Sequence, residues 1–503
     1  KSSWNESSAT AHWRQRGDKA QPFFSVFNLM TSHQSRSMVW PYARFKEEVQ
    51  STLSPGDIHD PNKVPLPPYY PDTPLVRREL ARFYDCVTAM DLQVGAILKQ
   101  LQEDGLAENT IVFFYSDHGS GMPRHKRALL DSGMHVPLLI RFPRKWQHLA
   151  PGKPGSTTDR LVSFVDYAPT VLNLLDLPTP EAMQGEPFLG KDAAAPRRYV
   201  YGHRDRVDEV RDLARSVRDS RYLYIRNYMP HLGYNQPTVW PDSGEIRHEF
   251  YRLTDSKKMT PAQWHFAGPT RPVEELYDCQ ADPQNLKNLA DSEAHQKVLK
   301  RLRNAHRKHI TQTVDLGFLP ESEAWEMFAK QTGWELGQGG HLKMGPIQRA
   351  AAQVGTADET ALVKNLQSKN ASIRYWAALG LAHHQELRLE TKQQLSKALT
   401  DPSPAVRIEA ANTLVRAGDT NPALRALIKD LAHENLIIVT HAARTIELLG
   451  PRAIVAKKPM AEALKRAETI RPPDTPATVV LPGDKDLAMF VAFSCRAFLD
   501  GLN

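Results

Sequence analysis

Apolar positions recur at helical spacing from Leu80 through Phe83, Tyr84, Val87, Val94, Ile97 and Leu98 to Leu101, and Gly105 stands where a helix should stop. A helix is predicted there. The segment before it, residues 61–74, holds six prolines in fourteen positions and reads as an extended surface stretch. Three short apolar runs have strand character: Phe23 to Phe27, Ile111 to Tyr115 and Val136 to Phe142. The second is near-continuously apolar, so a strand covered on both faces is expected. Val162 to Leu175 reads as a further helix. This order of strand, helix, strand, strand, helix predicts an α/β layered sheet with ligands beyond the carboxyl ends of its strands.

From about Arg197 the pattern changes to Arg-rich alternation, with Ser216 to Ile225 resembling a hairpin, so 197–320 is expected to be a smaller α+β subdomain. A Gly-Gln-Gly-Gly run at 337–340 marks 321–344 as a linker. Beyond it the chain repeats itself. The Ala377-Ala378 pair recurs as Ala410-Ala411 and again as Ala442-Ala443, at offsets of 33 and then 32, so a short HEAT-like solenoid is predicted over 345–455. Residues 456–503, which include the proline-rich RPPDTP at 471–476, are expected to be a tail.

Composition narrows this little. Apolar residues make up 41% of 503 and charged residues 24%, values of an ordinary folded protein. No apolar run approaches a membrane span. A net charge of +7 leans weakly toward anionic partners, but the basic residues are scattered among acidic ones, and no nucleic acid partner is indicated. The three cysteines, Cys86, Cys279 and Cys495, form neither a disulfide framework nor a zinc module. The chain opens on Lys1 with no signal-peptide core, which reads as an internal cut.

Candidate chemistry gathers at strand ends. Asp117 and His118 follow one apolar run directly and precede Gly119, offering a carboxylate and an imidazole as metal ligands; a turn or cap would use the same residues. Behind them lies the cationic stretch Arg124-His125-Lys126-Arg127, suited to an oxyanion. His33 ends the first run. In His203-Arg204-Asp205-Arg206, forked guanidinium groups suit sulfates or carboxylates, and an internal ion-pair cluster suits the pattern equally.

Taken together, Tyr115-Ser116-Asp117-His118-Gly119, Lys126, the GMHVPLLIRFP segment at 133–143 and FFSVFNLMTSHQSR at 23–36 resemble the sulfatases of the alkaline-phosphatase-like superfamily, nearest the heparan N-sulfatase branch. Glu275-Leu276-Tyr277-Asp278, Asp282-Pro283 and Asn288-Leu289 are similar to later sulfatase patterns. The resemblance covers about residues 10 to 315. It implies a mixed sheet sandwiched by helices, incomplete here, with 1–196 as the C-terminal part of a catalytic domain. It further implies hydrolysis of O- or N-sulfate groups of sulfated saccharides, with Asp117 and His118 on a divalent cation, usually Ca2+. Lys126 would hold a sulfate oxygen, and His33 would contact the sulfate or protonate the leaving group. Apart from the resemblance, the charge pattern of Arg204, Asp205 and Arg206 suits either an anionic saccharide or an internal ion-pair cluster.

The family's nucleophile, a Cys or Ser in C/S-x-P-x-R that becomes formylglycine in the cysteine class, is absent, as is its Asp-Asp metal pair. Both are expected in a preceding segment, and the chain alone is expected to be inactive. Two other readings stand beside this one: a phosphodiester or phosphonate hydrolase of the same superfamily, and a non-catalytic scaffold built on the repeats. The repeats would offer a concave face to a protein or polysaccharide. Family habit implies export to the periplasm or the cell exterior.

Overall fold

The computed structural model describes residues 4–340, 342–384, 386–475 and 479–502. Pro476, last of the proline-rich piece, His341 and the opening Lys1 lie outside them.

The predicted helix is the longest element, Pro74–Glu103. Thr73 caps it by accepting from the Val76 amide, Pro74 sits at its first position, and Gly105 leaves it at φ +68°. One face buries Val76, Leu80 and Ala81 against Met38, Tyr70 and Phe250. The first strand, β1 (Val112–Tyr115), pairs antiparallel with β2 (Leu138–Arg141), Phe113 opposite Ile140. It is not covered on both faces as the apolar run suggested: Tyr115 and Leu139 stand 42% and 59% exposed. The predicted strand over Phe23–Phe27 does not form. No strand among the described residues pairs with it; Phe23 and Phe27 pack on Trp13 instead, while Phe24 is exposed. The last predicted helix is shorter than its apolar run, Tyr167–Leu174 after a single 3-10 turn.

The Arg-rich region folds as expected into an antiparallel sheet of order β3-β4-β5-β6, with β3 Val200–Arg204, β4 Ala214–Arg218, β5 Tyr222–Asn227 and β6 Glu274–Asp278. One face buries Val217, Tyr224 and Leu276 under Leu299 and Leu302 of the Gln296–Gln312 helix. The other buries Ala214, Leu223, Ile225 and Tyr277 against Ala128, Leu129 and Leu130. The stretch just after Lys126 is thereby nailed to a rigid sheet.

The three sequence copies are the helices Ala371–Leu381, Pro404–Arg416 and Leu436–Leu449, and all three alanine pairs are fully buried between neighbours. Arg374 grips Asp401 with two hydrogen bonds of 2.7 Å, and Arg407 repeats the contact with Asp430. Two boundaries differ from expectation. Residues 321–344 are no linker: helices Glu321–Phe328 and Gly333–Gln338 form there, and Glu323 accepts from Ser372 and Ser403 at 2.9 Å, which ties the segment to the repeats. Nor is 456–503 a tail. Helices Lys457–Ile470 and Ala488–Asp500 put Met460, Ala463, Val491 and Cys495 into the same core as the repeats.

Repeats and subdomain also share a core, in which Trp376 packs with Tyr228 and Phe318 and donates to the Phe318 carbonyl at 2.8 Å. Across that junction Arg211 donates to Glu409 Oε1 at 2.5 Å and to the Tyr375 hydroxyl at 2.7 Å. Removing one member of such a buried pair strands the other charge. Glu409→Leu is expected to cost about 3–5 kcal/mol, and adding Arg211→Met should restore most of it; urea unfolding of both variants checks this.

Candidate active site

The loop after β1 turns sharply because it must pass close to other backbone. A Cβ on Gly119 would lie 1.9 Å from the Ser132 carbonyl oxygen, and one on Gly121 would lie 2.6 Å from Gln34 Cα. Both approaches have consequences. The first is locked by the Gly119 amide donating to Gly133 O at 2.9 Å. The second lets Gln34 Nε2 donate to Gly121 O at 3.0 Å, which draws the His33 turn onto the loop that carries Lys126.

His33 itself is held from behind. Arg82, buried in the long helix and paired with Glu79, donates to the carbonyls of Arg36 and Trp40 at 2.7 and 2.8 Å, and so fastens the π-helical turn Ser35–Val39 that follows His33. The Ser35 amide donates to His33 Nδ1 at 3.2 Å, so the neutral ring carries its proton on Nε2. Burial, then the Lys126 and Arg36 charges, hold the His33 pKa below the ordinary histidine value, with Asp117 opposing.

Lys126 sits between Arg124 and Arg127, whose φ angles of 68° and 73° are left-handed, a conformation non-glycine residues adopt at a cost. The surroundings pay for it. His125 is pinned by the Tyr69 hydroxyl at 3.0 Å and by Ser120 Oγ at 2.6 Å, and the Lys126 amide donates to Ser120 O at 3.0 Å. Burial and then Arg124 push the His125 pKa down to about 4, so it is a neutral anchor and not part of a cationic run. Lys126 has no carboxylate within ion-pair distance among the described residues; burial, then Arg127, lower its pKa, while Asp117 and Asp208 raise it.

Asp117 projects into solvent, and its Oδ2 lies 3.4 Å from His118 Nε2. His118 Nδ1 donates to Gly119 O at 2.6 Å, which leaves the Nε2 lone pair of the neutral ring beside the carboxylate. Two electron-pair donors so placed fit a shared cation, with the imidazole N–H on a backbone carbonyl as in metal sites. They fit it as a pair: among the described residues no group of three or more His, Cys, Asp or Glu side chains could hold a metal.

His33, Lys126, Asp117 and His118 therefore share one electrostatic neighbourhood at the ends of β1 and of the His33 turn. Arg204, Asp205 and Arg206 do not open onto it as saccharide ligands. Arg204 is buried with Nε 2.8 Å from Asp212, Asp205 pairs with Arg215 at 2.9 Å, and Arg206 pairs with Glu321 at 2.8 Å. Charges buried this way need partners, and these have them. Sequence reasoning missed Gln34 and Asp208, which accept from Arg127 at 3.2 and 2.8 Å, and Tyr69, whose only signal was its place in the proline-rich stretch. All three thiols are buried, and burial pushes each pKa up to about 12.

Residues 9–177 match the sulfatase family model, 124–236 the model for the C-terminal region of N-sulphoglucosamine sulphohydrolase, and 359–447 a HEAT-repeat model. The chain is 39% identical over 347 residues to an ulvan-active sulfatase of Formosa agariphila, covering 64% of this chain and 56% of that one. It is 27% identical over 289 residues to the human N-sulphoglucosamine sulphohydrolase, covering 51% and 52%. The chain thus spans about half the length of these curated relatives. A structure solved in complex with its substrate D-glucosamine-2-N,6-O-disulfate overlaps at TM-score 0.35 and 21% identity, over 55% of this chain and 46% of that one. Residues 9–236 are thus similar to the sulfatases, and residues 359–447 to HEAT repeats.

Proposed function

We propose that this chain binds the sulfate group of a sulfated saccharide between Lys126 and His33, as part of a hydrolase that releases sulfate from O- or N-sulfated sugars. The reading is supported by the Gln34–Gly121 hydrogen bond, which draws the His33 turn onto the Lys126 loop, and by the charge effects that Lys126, Asp117 and His118 exert on His33. Relatives named for ulvan and for N-sulphoglucosamine support the saccharide class.

Each residue has work its geometry suits. The Lys126 ammonium, without a carboxylate partner, receives a sulfate oxygen and offsets its charge. The His33 Nε2–H, oriented by the Ser35 amide, donates to the leaving oxygen or nitrogen. Asp117 and His118 would hold a divalent cation, with calcium our assignment, and that ion would polarise the bound sulfate. The nucleophile is none of the three cysteines, since a thiol with a pKa near 12 stays protonated and each is enclosed.

Calcium wants 6–8 oxygen ligands, so two side chains should hold it weakly, with a dissociation constant on the order of millimolar. Calcium is expected to raise the melting temperature of the chain and to strengthen binding of glucosamine 6-sulfate or N-sulfate, with glucosamine itself showing no binding. Asp117→Asn should remove the calcium response. Calorimetric titration of the three sugars, with and without calcium, tests both halves: equal binding of glucosamine would refute the sulfate site, and an unchanged calcium response in Asp117→Asn would refute the cation assignment.

A further inference from the structure

A partly open pocket with about 40 Å³ of accessible space adjoins Lys126, lined by five cations, Arg124, Lys126, Arg127, Arg204 and Arg247, and by no carboxylate among the described residues. Three of the five are neutralised from outside the pocket: Arg127 by Asp208, Arg204 by Asp212 and Arg247 by Asp242, each at 2.8 Å. Arg124 and Lys126 have no such partner among the described residues. Arg124 is only 2% exposed, spends Nη2 on the Asn285 carbonyl at 2.7 Å and lays its face over Tyr69, yet its Nε and Nη1 meet no hydrogen-bond acceptor. Arg127 Nε is likewise buried and unpartnered. Buried polar groups in folded proteins are almost always satisfied, and a guanidinium more so than most. With Arg204 Nε, which also lacks a hydrogen-bond acceptor, four orphaned nitrogen donors on three arginines that line one pocket call for an acceptor that carries negative charge.

We infer that this pocket is a binding site for one small inorganic oxyanion of the sulfate class. About 40 Å³ of accessible space holds roughly three waters or one compact polyatomic ion. Forked guanidinium donors favour an oxyanion over a spherical halide. The site is separate from the proposed catalytic sulfate position, since His33, Asp117 and His118 do not wall it and Lys126 alone touches both. The inference does not rest on hydrolysis. It asks only that the orphaned donors be satisfied.

Crystals of the full chain grown with selenate, a tetrahedral sulfate mimic, test this by anomalous diffraction. A selenium peak within hydrogen-bond reach of Arg124 and Arg127 is expected, whereas water alone in the pocket would overturn the proposal. In solution, sodium sulfate at constant ionic strength should raise the melting temperature of the wild type and should still raise that of His33→Ala. Arg124→Gln should weaken that response about tenfold or more. A response lost in His33→Ala and kept in Arg124→Gln would place the only sulfate site at the catalytic position and sink the inference. Should Arg124→Gln fail to fold, the selenate map of the unmodified protein still decides.

Discussion

Lys126→Met is expected to weaken binding of a sulfated sugar by about 2–3 kcal/mol, roughly thirty- to more than a hundredfold, while the fold holds. The size follows from what the ammonium faces. It is partly desolvated and next to Arg127, both of which depress its pKa, so an arriving sulfate meets a cation that gains from neutralisation. The fold holds because the loop is fixed by other residues. His125 is bound by Tyr69 and Ser120, and Ala128 to Leu130 are buried against the β-sheet, whereas the Lys126 side chain makes no ion pair among the described residues. Calorimetric titration with glucosamine 6-sulfate gives the affinity, and an unchanged melting temperature of the free variant separates loss of binding from loss of structure. Wild-type affinity in Lys126→Met would remove this residue from the site.

The second large effect is on stability in mild acid. His306 is buried against Tyr228 with its pKa pushed down to about 3, His231 is likewise held near 3, and His125 near 4, in each case chiefly by burial. A histidine whose folded pKa lies below its unfolded value of about 6.5 binds its proton more readily in the unfolded chain. Stability is therefore fully present above pH 6.5 and falls as pH drops toward 4. At pH 5 each such group costs about 2 kcal/mol, and three together about 6, a sum comparable with the whole stability of many domains. Glu275, held near 2 although burial opposes it, by His265 and the hydroxyls of Tyr234 and Tyr277, adds to the loss only below pH 4.5. Glu79, Glu209, Glu323 and Glu447, raised by burial, titrate in the opposite sense and offset part of it. The urea midpoint should fall steeply between pH 7 and 5, and less steeply in a His306→Gln variant. A flat profile over that range would contradict the burial of these rings.

Periodicity carried most of the fold. The Pro74–Glu103 helix announced itself by apolar spacing and Gly105, and the β4-β5 hairpin by alternation. The repeats showed because their alanine pairs are small for a reason: neighbouring helices close on them. The Phe23–Phe27 run misled because strand propensity describes a half-buried pleated surface and supplies no pairing partner. The final helices were hidden by the proline-rich piece before Ala488–Asp500, although Met460, Ala463 and Ala467, and then Ala488, Val491, Cys495 and Phe498, keep helical spacing.

The site was legible in its residue types and illegible in its supports. Asp117-His118 and Lys126 stand out beside apolar strands, but whether an arginine faces a ligand or a carboxylate depends on residues far along the chain. Arg206 pairs with Glu321 and Arg204 with Asp212, and nothing in the local HRDR pattern distinguishes those outcomes from an open cation. Gln34 and Arg82 act through backbone carbonyls, contacts for which a sequence carries no mark.

The central claim is that His33 and Lys126 bind one sulfate group together, and the NMR signal of the His33 imidazole tests it most directly. Titrating the full chain with glucosamine 6-sulfate should shift that signal and raise the His33 pKa, because the bound anion offsets the Lys126 and Arg36 charges that depress it; glucosamine should do neither. A His33 signal that ignores the sulfated sugar, or answers both sugars alike, would contradict the account.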